Sequence, residues 1–131
     1  MSTLVIDTIQ GKTTAGSVNV RGENSNNTNL QQGLAKAWQN HNSSSVNDSF
    51  NASSFTDNAT GDFTINFGND FSSANHCCGH IMGADGSDNF ADTRNRSTDS
   101  AAGSMRYVSG YNDSSVNDWT HNELIFHGDL A

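Results

Sequence analysis

The run His76-Cys77-Cys78-Gly79-His80 is the densest set of metal-ligating side chains in the sequence. On an extended strand His76, Cys78 and His80 share one face, and Cys77 lies on the other. Zinc requires ligands that converge tetrahedrally, whereas neighbours on one strand face stand about 6.5 to 7 Å apart and project in parallel. The spacing therefore disfavours a mononuclear site within one chain. In a threefold assembly, one histidine from each copy could instead converge on an axial ion. The plainer reading takes precedence: a strand of small and polar residues carrying two reduced cysteines. No disulfide framework is available, because the only two cysteines are adjacent and a bridge between neighbours strains the intervening peptide. No cofactor is expected.

Other catalytic patterns are weaker still. Fourteen Asp and Glu residues make carboxylate pairs inevitable by chance, so such pairs do not by themselves indicate a glycosidase. No Gly-x-Ser-x-Gly elbow, phosphate-binding loop or dinucleotide glycine pattern occurs. The segment Gly83 to Asn89 has closely spaced oxygen ligands. It lacks the final Glu and the flanking helices of an EF-hand, so it reads as a surface turn. No catalytic residue is assigned, and an enzyme is not expected. Six Lys and Arg against fourteen Asp and Glu give a formal net charge of -8, with no basic cluster. Nucleic-acid binding is disfavoured, because phosphate contacts need a positive stripe. No apolar run approaches the roughly 18 residues of a membrane span, so membrane insertion is not expected. Met1 to Gln10 lacks the basic start and long apolar stretch of a secretory signal. The expectation is a protein that stays in the cytoplasm of its producer unless it leaves within a larger particle.

What must position these residues is a thinly cored fold. A chain of 131 residues and 14.0 kDa suits one domain, or one domain plus an arm. Hydrophobic residues make up 33% and charged residues 15%, while Asn and Ser occur 18 times each and Thr 11 times. The polarity is thus neutral, and aromatic residues are spread through the sequence, which is not the disordered signature. Such a chain buries limited apolar area alone, and association with identical copies is the usual supplement. Proline is absent, and no segment of ten residues shows an apolar repeat at helical spacing. Period-two alternation is clearer: Phe63, Ile65 and Phe67 point one way, Asp62, Thr64 and Asn66 the other. With Ser49 to Phe55 before it and a turn-rich Thr56 to Gly61 between, the pair reads as a hairpin with Gly61 at positive φ. Further strands are expected at Leu4 to Ile9, Leu34 to Asn40, Ala74 to Met82, Ser104 to Val108 and Glu123 to His127. Short strands separated by Gly, Asn and Asp clusters predict an all-β fold, an antiparallel β-sandwich-like domain over residues 34–131.

Residues 1–33 read as a short extended arm and polar linker. Arg21 to Gly33 contains a single large apolar residue, too few to pack. Met1 to Val20 holds Leu4, Val5, Ile6 and Ile9 but no aromatic residue, so it should dock onto something else rather than fold alone.

Several stretches together resemble the small fibre-like virion proteins of marine tailed phages, chiefly those infecting cyanobacteria and related ocean bacteria. Ser2 to Gly16 is similar to the N-terminal segment of many such structural proteins. Gly33-Leu34-Ala35-Lys36-Ala37-Trp38 is similar to the start of their compact C-terminal domain. Ser49 through Phe67 matches the hairpin that follows, and Phe126-His127-Gly128-Asp129 resembles the closing strand. The related pattern tends to carry two apolar residues after Trp38, where this chain has Gln39 and His41. The resemblance implies a homotrimeric tail-fibre or appendage protein of the virion, assembled in the host cytoplasm, that aids recognition of a glycan or protein on the host surface. Leu4, Val5, Ile6 and Ile9 would anchor it to another virion protein. Trp38, Phe50, Phe63, Ile65, Phe67 and Phe126 would supply the core and the trimer contact. The runner-up is a capsid decoration protein or head fibre docked by the same arm. A small metal-dependent, glycan-cleaving enzyme centred on His76 to His80 ranks last.

Overall fold

The computed structural model describes residues 3–11, 18–21, 27–83, 91–95, 99–111 and 113–130. The chain divides into two compact units, Met1–Leu34 and Ala35–Ala131. In the first, β1 (Asn19–Arg21) pairs antiparallel with β2 (Asn27–Asn29), and a single helical turn, α1 (Leu30–Gly33), follows. The expected strand over Leu4 to Ile9 does not form: these residues have no ladder partner, and without one an extended segment is not a strand. The reading of Arg21 to Gly33 as linker also needs correction, because β2 and α1 both fall within it. Three-residue ladders between polar strands need no apolar repeat and leave no pattern in the sequence.

The second unit is all-β and antiparallel. Its first sheet has strand order β4 (Val46–Phe50), β3 (Ala37–His41), β10 (His121–His127), β7 (Cys77–Gly83). The second has order β5 (Ala52–Ala59), β6 (Asp62–Phe67), β9 (Ser104–Tyr111), β8 (Ala91–Asn95). The inward faces share one core. Ala37, Leu124 and Phe126 come from the first sheet, and Phe63, Ile65, Phe67, Met105 and Tyr107 from the second. Strict alternation creates this arrangement: β10 is buried at Asn122, Leu124 and Phe126 and exposed at His121, Glu123 and Ile125. The β-sandwich-like domain anticipated from the alternation is therefore what the chain forms. The Gly83 to Asn89 turn lies outside the described residues after Gly83.

Two glycine or asparagine positions set the connections. The β5–β6 hairpin turns at Gly61, whose φ is 65°. A Cβ there would run into the Ser109 carbonyl oxygen of β9 and stand 2.9 Å from the Asn117 nitrogen, so β9 and the segment after it both pack directly against the turn. Asn51, with φ 54°, turns the chain from β4 in one sheet to β5 in the other. Asparagine tolerates this left-handed conformation because its short amide bonds locally. Its Nδ2 donates to the carbonyls of Lys36 (2.9 Å) and Asn69 (3.1 Å), and its Oδ1 accepts from the Asn69 N–H (2.6 Å).

Candidate functional site: the outer face of the first sheet

The outward residues of the first sheet are the ones the core does not use. The ladders place Phe50 opposite Trp38, and Ile125 opposite both Trp38 and Gly79. One row perpendicular to the strands therefore reads Phe50, Trp38, Ile125, Gly79. Its large side chains are open to solvent: Phe50 54%, Trp38 36% and Ile125 44% exposed, with Ile81 beside them at 71%. Contiguous exposed apolar side chains of this size are uncommon on a protein with no partner. The next row reads Asp48, Asn40, Glu123, Ile81. Its polar groups bond to one another and to their neighbours. Asn40 Nδ2 donates to Glu123 Oε1 at 3.0 Å, and Asn47 Nδ2 donates to Asn40 Oδ1 at 2.6 Å.

A shallow groove of about 530 Å³ runs along this face, lined by Trp38, Gly79, Ile81, Glu123 and Ile125 among others. Gly79 opens it. Any side chain at that position would stand over Ile125, whose Cγ2 lies 3.3 Å from where a Cβ would be. The arrangement offers apolar contact beside a hydrogen-bonded amide–carboxylate row.

The six aromatic and aliphatic residues singled out from the sequence divide into two sets. Phe63, Ile65, Phe67 and Phe126 are core, whereas Trp38 and Phe50 lie on this outer face. Leu4 and Val5 are 80% and 87% exposed, and Ile6 and Ile9 are also largely open. The histidine–cysteine run does not converge. His76 precedes β7 and sits among rings, stacked on Phe71 (centroids 4.8 Å apart) and edge-on to Phe67 (5.4 Å). Burial lowers its pKa below the ordinary 6.5, an effect partly opposed by a backbone bond at Ser73. Cys78 packs against the core, where burial, with a smaller contribution from Cys77, pushes its thiol up to about 12. His80 is exposed, and both cysteines are free. Among the described residues no group of three or more His, Cys, Asp or Glu is placed to hold a metal ion.

Sequence reasoning left one polar cluster unassigned. Gln39 and His41 occupy inward positions of β3 and are buried, as is Asn122 on β10. A carbonyl can only accept, so His41 Nδ1–H must donate to the Asn42 carbonyl (2.6 Å), which leaves neutral Nε2 to accept from the Tyr107 hydroxyl. The His41 ring also packs on Phe55, with centroids 4.4 Å apart. Asn122 Nδ2 donates to the carbonyls of Trp119 (2.9 Å) and His41 (3.3 Å), tying the loop before β10 to β3. The alternation Ala37, Gln39, His41 carried this signal, since an inward strand position is buried whatever residue fills it.

No family model, curated protein or solved structure matches the chain. No helix among the described residues is long and apolar enough to cross a membrane.

Proposed function

We propose that this chain is a phage virion structural protein, a homotrimeric tail fibre or appendage that aids recognition of the host surface. The observation that carries the reading is the exposed apolar row Phe50, Trp38 and Ile125 on an otherwise well-packed sandwich. A domain with a complete internal core and a solvent-facing apolar sheet face is suited to assembly with further protein. The arm supports the same reading through exposed Leu4, Val5, Ile6 and Ile9, a second apolar surface that another virion protein could cover. The resemblance of Ser2 to Gly16 and Ser49 to Phe67 to fibre-like virion proteins supplies the biological setting. Adhesion of this kind needs no catalytic residue. Amide-rich polar surfaces hydrogen-bond glycan hydroxyls, and several copies on one particle turn weak contacts into avidity.

Competition for adsorption tests the proposal. Purified protein, added in excess to host cells before infection, should occupy the receptor and slow particle adsorption several-fold. Unchanged adsorption, together with no binding of the protein to cells, contradicts a host-recognition role and leaves the shell-decoration alternative as the better reading.

A further inference from the structure

We draw no further inference here: the strongest candidate, the groove beside the exposed row Phe50, Trp38 and Ile125 on the outer face of the first sheet, belongs to the site already described, and nothing in the structure shows what covers it.

Discussion

His41 is the residue whose chemistry is most constrained by its surroundings. Burial holds its imidazole below the ordinary 6.5, with the Asn42 carbonyl bond pulling weakly the other way. His76 is shifted in the same direction by the same cause. The unfolded chain therefore binds these protons at a higher pH than the folded chain does. Stability is fully present above about pH 6.5 and falls as pH drops from there toward the folded values. Urea unfolding at intervals between pH 7.5 and 5.0 should show this loss, with a slope of at most about 1.4 kcal/mol per pH unit for each imidazole; a flat profile contradicts it. Gln39 offers a complementary test. Its amide is buried with no hydrogen-bond partner among the described residues. Gln39→Met keeps the shape and removes the orphaned groups, so it should raise unfolding stability by about 1 kcal/mol. A loss of stability on this substitution would show that the amide has a partner.

At the scale of elements, the β5–β6 hairpin was the most legible part of the sequence. Phe63, Ile65 and Phe67 alternate without interruption, and Gly61 marks the turn. The first strand, however, runs Ala52–Ala59 where the sequence predicts Ser49 to Phe55: Thr56 to Ala59, polar enough to read as turn, continue the ladder, and Ser49 and Phe50 belong to β4 in the other sheet. Gly61→Ala should cost at least about 2 kcal/mol, since a left-handed backbone penalises a Cβ and the Ser109 carbonyl occupies its space. Thermal unfolding reads this directly. β4 and β8 were not legible. Val46 and Phe50, four residues apart, would share a face in a regular strand, but the ladder shifts register between Asn40 and His41 and sets Val46 opposite inward-facing His41. Ala91-Asp92-Thr93-Arg94-Asn95 has no large apolar residue. Both are edge strands, where a ladder on one side suffices and no buried face imposes a pattern. The groove was hidden for a related reason. Trp38, Ile125 and Gly79 are far apart in sequence, and only the register of β3, β10 and β7 sets them side by side. The arm makes its own prediction. Because Leu4, Val5, Ile6 and Ile9 are exposed, deletion of Ser2 to Val20 should leave the far-ultraviolet circular dichroism of the β domain intact and, under the proposed function, abolish incorporation into particles, as measured by mass spectrometry of purified virions.

For the whole molecule, the polar composition and the apolar face are two sides of one design. Few large apolar residues are available, and the inward positions of both sheets take most of them. Of those left exposed in the β domain, Phe50, Trp38, Ile125 and Ile81 cluster on the outer face of the first sheet, while Val46 and Val116 lie apart from it. Covering that face would supplement a small core in the way the composition suggested, by association of identical copies. With the exposed arm and the fibre-like sequence, such a face supports the proposal of a trimeric appendage protein. Reconstruction of intact particles from a phage encoding this chain, by electron cryomicroscopy, tests that claim most directly. Threefold density for the β-sandwich on the tail, with the first sheet of each copy turned toward the axis, is the expected result. Density for single copies on the capsid shell, or particles with no copy of the chain, would contradict it.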